Sequence, residues 1–203
     1  MSQLINIDDR NIGRCWWCGS DPLYMRYHDR EWGLPVRNDQ KLYEKLCLEG
    51  FQAGLSWITI LRKREAFREA FAGFEIQRVA RFNQRDVNRL LKNEGIVRHR
   101  GKIEATINNA RCAQEMQDQQ GSLAGFLWQF EPKRQLKFNK KRATTPESTE
   151  MSRQLRKLDW KFVGPTTCYS FMQAMGLVND HHPKCFRWEH IEQRRSSFKR
   201  PRR

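Results

Sequence analysis

Two clusters of cysteine and histidine near opposite ends of this chain constrain its fold more than any other feature. Cys15 and Cys18 have C-x2-C spacing, and His28 follows ten residues later. His181, His182 and Cys185 lie near the other end of the 203 residues. Two thiolates and two imidazoles suffice for a tetrahedral zinc site, and a structural site needs no open position. A site drawing on both clusters clamps the N-terminal segment to the C-terminal one. Pro183 disfavours helix at His182, which puts His181 and Cys185 on a turn. Spacing does not choose between Cys15 and Cys18, or between His181 and His182. The same residues also read as unrelated buried or surface side chains.

The redox state follows from the compartment. The first twenty residues hold Asp8, Asp9 and Arg10 and no apolar run, so no signal peptide is expected. No stretch approaches the roughly 18 apolar residues that span a bilayer. The expected location is cytoplasmic, where cysteines stay reduced. Cys47, Cys112 and Cys168 then read as small buried hydrophobes. Lys plus Arg is 38 against 23 Asp plus Glu, a formal charge of +15. That excess points to a polyanionic partner, nucleic acid first and an anionic membrane surface second.

Strand patterns are scarce and helical periodicity dominates. One helix is expected over 39–53, after Asn38 and Asp39, with Leu42, Tyr43, Leu46, Cys47 and Gly50 on one side. Others are expected from Ser56, over about 84–93, from Lys102 to Gln119, over 123–130, from Thr149 and from Thr166 to Met175. KRQLKFNKKR (133–142) carries six positive charges and no negative one, and reads as a solvated loop or a phosphate contact. Residues 186–203 read as a basic tail, and 1–13 as an N-terminal extension to a domain over 14–185.

Two further features suggest chemistry. GIVRHRGK (95–102) joins two helical patterns. Gly95 and Gly101 permit positive φ, and the amides that open the next helix suit an anion. Arg98, His99, Arg100 and Lys102 add charge, so the segment is a candidate DNA-backbone hairpin. DPLYMRYHDREWG (21–33) and CLEGFQAGLSW (47–57) place Tyr24, Tyr27, Trp32 and Trp57 around Glu49. Such a group reads as a base pocket, with rings stacking on a flat heterocycle and a carboxylate accepting its N–H protons. It reads equally as core rings beside a Glu49–Lys45 pair on a solvated edge.

RCWWCGSDPLYMRYHDREWGLP (14–35), CLEGFQAGLSWITILRKRE (47–65), GIVRHRGKIEATINNA (95–110) and FVGPTTCYSFMQAMGLVNDH (162–181) together resemble the Tag family of 3-methyladenine DNA glycosylases. The resemblance implies an all-α fold of the helix-hairpin-helix DNA glycosylase superfamily. It also implies a zinc site on Cys15, His28, His181 and Cys185, with Cys18 and His182 as neighbours. The base pocket falls on Glu49, Tyr27 and Trp57, lined by Tyr24 and Trp32. Gly95, Arg98, Arg100, Gly101 and Lys102 take the place of the DNA-binding hairpin. The implied activity is hydrolysis of the N-glycosidic bond of 3-methyladenine in alkylated double-stranded DNA, releasing free 3-methyladenine and leaving an abasic site. No lysine is evident as a Schiff-base nucleophile, so a monofunctional, monomeric enzyme without lyase action is expected, associated with the nucleoid through DNA. The competing readings are a non-catalytic zinc-stabilised DNA-binding module and a glycosylase of different base preference.

Overall fold

Among the described residues, a short antiparallel hairpin of β1 (Ile5–Ile7) and β2 (Gly13–Cys15) precedes the helices. These are α1 (Pro22–Arg30), α2 (Asp39–Gln52), α3 (Trp57–Arg62), α4 (Arg64–Ala70), α5 (Ile76–Ala80), α6 (Gln84–Leu91), α7 (Arg100–Gln120), α8 (Leu123–Trp128), α9 (Pro146–Lys157), α10 (Pro165–Ala174) and α11 (Trp188–Ser196). The structure, a computed structural model, describes residues 5–9 and 11–201. Residues 1–4 and Arg10 of the expected extension, and Arg202 and Arg203 of the expected tail, lie outside the described residues. No described helix is long and apolar enough to cross a membrane.

The architecture is helical, with the β1–β2 hairpin as the departure from an all-α expectation. That hairpin sits beside the first cysteine: Ile5 pairs with Cys15, and Arg14 bonds both Asp8 and Asp29.

Helix α2 is the axis around which the rest is built. Asn38 caps it, its side chain accepting from Lys41 N at 2.9 Å. Asp39 turns outward and caps α8 instead, accepting from Ala124 N at 2.8 Å and Leu123 N at 3.0 Å. The expected apolar stripe of α2 is buried, but so is every residue from Leu42 to Phe51. Helices α3, α7, α8 and α10 pack on it from different sides. A helix covered all round must pair its charges internally. Glu44 therefore meets Arg68 at 2.8 Å and Lys45 meets Glu49 at 2.7 Å.

The helix expected from Ser56 is two helices, α3 and α4, broken at Lys63. The Lys63 amine bonds the carbonyls of Glu94 and Gly95, tying this break to the α6–α7 turn.

Half of the segment read as a basic tail is helix α11. Ile191 is buried on the core, and Arg195 follows one turn later on the same face. The Arg195 guanidinium donates to Gly176 O at 2.9 Å, Leu177 O at 3.0 Å, Gln135 Oε1 at 2.7 Å and Glu131 Oε1 at 3.1 Å. Charge counting could not reveal this, because a buried cation with fixed acceptors looks like any other arginine in sequence. Arg195→Met strips those acceptors of their donor and is expected to cost about 2–4 kcal/mol. A shift of the urea midpoint at constant m-value is the check.

Candidate active site and metal centre

The metal-ligand candidates are placed by α1 and by the turn after α10. Asp21 caps α1 by accepting from Leu23 N and Tyr24 N, and Pro22 opens the first turn. The helix then carries Tyr24, Tyr27 and His28 on one face. Asp29 Oδ1 holds His28 Nδ1 at 2.7 Å, and Arg14 holds Asp29 in turn. His181 Nε2 meets Trp32 O at 3.2 Å. These contacts fix both rings, so His28 presents Nε2 and His181 presents Nδ1 inward.

Cys15, His28, His181 and Cys185 are all buried, and their ligand atoms lie within 4.8 Å of one another. Cys185 Sγ is 3.5 Å from His28 Nε2 and 3.5 Å from His181 Nδ1, while Cys15 Sγ is 3.6 Å from His181 Nδ1. A tetrahedral ion with bonds of about 2.0–2.3 Å has ligand–ligand edges of about 3.3–3.8 Å. These three contacts match that edge, in a set whose ligand atoms all lie within 4.8 Å of one another. The charge fits as well. The hydrogen bond between the sulfurs holds Cys185 as the thiolate, with the two imidazoles assisting, and pushes the Cys15 thiol upward. A dication is what allows the second proton to leave. Cys18 and His182 stand outside the cage: Cys18 Sγ donates to Cys15 O at 3.2 Å, and the backbone N–H of His182 donates to Cys15 Sγ at 3.3 Å. Burial pushes the Cys18 thiol up to about 12.

The aromatic group and Glu49 converge elsewhere. Tyr24, Tyr27, Trp32, Glu49 and Trp57 all line one cleft of about 210 Å³. Trp17 completes it, with ring centroids 5.1 Å from Tyr24, 4.8 Å from Trp32 and 5.2 Å from His28. That ring joins the cleft wall to the metal cage. Glu49 is only 5% exposed. It pairs with Lys45, but not on the solvated edge that sequence allowed, since Lys45 is buried too. Lys45 Nζ donates to Tyr27 OH at 2.9 Å and lies 3.2 Å from the Trp57 ring centroid. Burial pulls the Lys45 amine down to about 8, against the opposing pull of Glu49. Trp57 Nε1–H is buried and has no hydrogen-bond partner among the described residues.

The opposite rim comes from the basic stretch and α10. Phe138, Asn139, Lys140 and Arg142 line the cleft with Ser170, Gln173 and Asp180. Asp180 accepts from Tyr169 and Gln173 and faces Arg142 Nη1 at 3.6 Å, which pins the loop to α10. Two lysines thus stand at or behind the cleft, Lys140 and Lys45, where no lysine nucleophile was expected. The Lys140 amine rests 5.0 Å from the Trp16 ring centroid. Trp17 and the place of the loop rim escaped sequence reading, and Lys45 was read only as a surface partner of Glu49. The single available signal was the i,i+4 spacing of Lys45 and Glu49 on a helix that is apolar on its other faces.

The expected hairpin needs correction. Neither Gly95 nor Gly101 has positive φ. Gly95 is required by packing, since a Cβ there would stand 2.8 Å from Ala66 Cβ, and its amide donates to Asn93 Oδ1 at 2.8 Å. That amide is not free for a phosphate. Gly101 lies in the first turn of α7, which His99 caps by accepting from Lys102 N. The Lys102 side chain is buried and donates to Phe51 O at 2.9 Å and Ala53 O at 2.6 Å. It closes the C-terminal end of α2, just past Glu49, with its amine turned inward. Lys102→Met is expected to cost about 1–3 kcal/mol in thermal or urea unfolding and to leave the salt slope of DNA binding unchanged. Arg98 and Arg100 remain exposed, beside Glu94 and Glu104.

A second helix–turn–helix, α9 to α10, packs next to this one. Its turn takes positive φ at Asp159 and Phe162, and the Phe162 ring centroid is 6.3 Å from that of His99. Helix α10 leads from this turn to the cleft through Ser170 and Gln173. The Gly164–Pro165 start of α10 was its local signature.

The chain matches the family model described as methyladenine glycosylase over residues 17–188. It is 48% identical over 177 residues to DNA-3-methyladenine glycosylase 1 of Escherichia coli (strain K12), covering 85% of this chain and 95% of that protein. A crystal structure of 3-methyladenine DNA glycosylase I (TAG) superimposes with a TM-score of 0.82 at 50% identity, over 85% of this chain and 98% of that one. A tyrosine-to-phenylalanine variant of a 3-methyladenine DNA glycosylase I (TAG), in complex with 3-methyladenine, also gives a TM-score of 0.82, at 36% identity, over 86% of this chain and 97% of that one. With its aromatic cleft, buried carboxylate and helical frame, the chain belongs to the methyladenine glycosylase family.

Proposed function

We propose that the protein removes 3-methyladenine from alkylated double-stranded DNA by hydrolysing its N-glycosidic bond. The observation that carries this reading is the convergence of Tyr24, Tyr27, Trp32 and Trp57 with a buried Glu49 on one cleft. The target nucleotide swings out of the duplex, at a cost of a few kcal/mol. Its base stacks among the rings, a contact worth about 1–3 kcal/mol. Alkylation at N3 makes the adenine cationic and weakens its bond to the sugar. Glu49 favours that cation over neutral adenine, so selectivity comes from differential stabilisation; as the bond breaks, the positive charge passes to the sugar and the base leaves neutral. Water then attacks the sugar carbon as the base departs.

The protein acts as a monofunctional glycosylase. Lys45 is engaged by Glu49 behind the cleft and Lys140 stands at its rim with the amine 5.0 Å from the Trp16 ring centroid, and neither is assigned a nucleophilic role. Arg98, Arg100 and the exposed lysines of 133–142 contact the DNA backbone, with the two neighbouring helix turns as the docking face. Leu55 is 43% exposed on the turn between Gln52 and Trp57, both cleft residues. An apolar side chain there suits the gap that an extruded base leaves in the stack. Zinc is held by Cys15, His28, His181 and Cys185, and supplies a cross-link and a counter-charge.

The test is base release from methylated duplex DNA by the purified monomer, scored by chromatography. Free 3-methyladenine with an intact abasic strand supports the reading. Release of 7-methylguanine at an equal rate indicates a broader pocket, strand cleavage indicates lyase action, and no release refutes the proposal.

A further inference from the structure

Lys45 has no part in the chemistry above, yet its ammonium lies against the groups that face the base. It stands 2.7 Å from Glu49 Oε1 and 3.2 Å from the Trp57 ring centroid. It does not line the base cleft. It lines a second cleft that shares Tyr27 and Trp57 with the first and opens toward Glu31, Arg64 and Met175. The amine is therefore behind the carboxylate and the rings, away from the entering base. The other charged or titratable groups around it are Tyr27 and Arg30 on α1, Glu31 after α1, Lys41 and Glu44 on α2, and Arg64 and Arg68 on α4. Glu31 is paired with Arg64 and Glu44 with Arg68. Burial holds the Tyr27 phenol well above its ordinary range, so it stays neutral.

We infer that Lys45 is a specificity-determining residue: its ammonium, bound to the far side of Glu49, offsets the carboxylate and sets how strongly the cleft prefers a cationic base. This deepens the function proposed above and rests on it. With Lys45 charged, an entering cation meets an ion pair. With Lys45 neutral, it meets an uncompensated carboxylate. Two cations about 6 Å apart across a partly screened carboxylate repel by enough to change affinity on the order of 10- to 100-fold. The coupling is reciprocal, so a bound cation also favours loss of the Lys45 proton. An amine pulled down to about 8 places this change within reach of ordinary assays. The positive charge of the N3-alkylated base is fixed in DNA and does not titrate away.

The experiment is single-turnover release of 3-methyladenine at saturating enzyme, between pH 6.5 and 9, corrected for spontaneous depurination. The parent rate is expected to rise about tenfold, with its midpoint near the Lys45 titration. Lys45→Met and Lys45→Gln are expected to run flat at the upper level. Lys45→Arg is expected to run flat at the lower level, because its guanidinium stays charged. A Met or Gln variant slower than the parent at pH 7 assigns Lys45 a merely structural role and overturns the inference, as does an Arg variant that keeps the rise. The Lys45 amine followed by 15N NMR in the parent gives a reading that needs no variant; an amine still charged at pH 10 also overturns it. The underlying function fails separately, through loss of release in the parent or full activity in Glu49→Gln.

Discussion

Glu49→Gln is expected to lower single-turnover release of 3-methyladenine by about 10²- to 10³-fold, with DNA binding nearly unchanged. The amide keeps the shape and one acceptor of the carboxylate but loses its charge. At the base, that charge faces an adenine that is cationic while still bonded to the sugar. A hydrogen-bonding group that acts on developing or fixed charge in such a setting contributes about 3–4 kcal/mol to the barrier. The substitution also leaves Lys45 without its counter-ion. A bare buried ammonium is costly, but an amine already drawn down to about 8 by burial can give up its proton instead. The fold should therefore survive with a stability loss of about 1–3 kcal/mol. Thermal unfolding beside the kinetic assay separates the two effects. A variant that melts normally and releases base at the parent rate removes Glu49 from the mechanism.

The second large effect is on the metal cage. Cys185→Ser, or exhaustive chelation, is expected to lower Tm by about 10–20 °C. Structural zinc contributes about 10–16 kcal/mol to small peptides that fold around it. A larger helical core keeps part of its stability without the ion, so a loss near 5 kcal/mol is expected, and each kcal/mol moves Tm by about 2–4 °C at this size. The cage links Cys15 and His28 to His181 and Cys185, and Trp17 lies against the His28 ring at 5.2 Å. Loosening the cage therefore loosens the wall of the base cleft. Base release at low temperature should fall less than stability does, since no ligand lines the cleft. Metal analysis of protein purified without chelators should give about one zinc per chain. A Cys185→Ser variant that melts with the parent removes the structural role.

The metal set and the aromatic pocket were legible chiefly through the family resemblance carried by four blocks of sequence. Taken alone, the cysteine and histidine clusters also read as unrelated side chains, and spacing could not separate Cys15 from Cys18. Helix positions were legible from periodicity and caps such as Asn38. Helix α2 shows the limit. Its apolar stripe was readable, but burial of Glu44, Lys45 and Glu49 depends on which helices cover its other faces, and that is a tertiary fact. Lys102 and Arg195 fail in the same way. Each is a buried cation that bonds backbone carbonyls distant in sequence, Arg195 adding the side chains of Gln135 and Glu131, and a carbonyl leaves no signature in residue identity. The loop over 133–142 was read through its charge, whereas its place beside the cleft follows from tertiary contacts such as those of Arg142 with Tyr169 and Asp180, Gln135 with Arg195 and Phe138 with Trp16.

The most direct test is a crystal structure of this protein with 3-methyladenine. The base is expected between the rings of the Tyr24–Trp57 cleft, its amino edge about 3 Å from Glu49, with Lys45 still on the far side of that carboxylate. A base seated outside the cleft, or inside it with Glu49 turned away, would contradict the account.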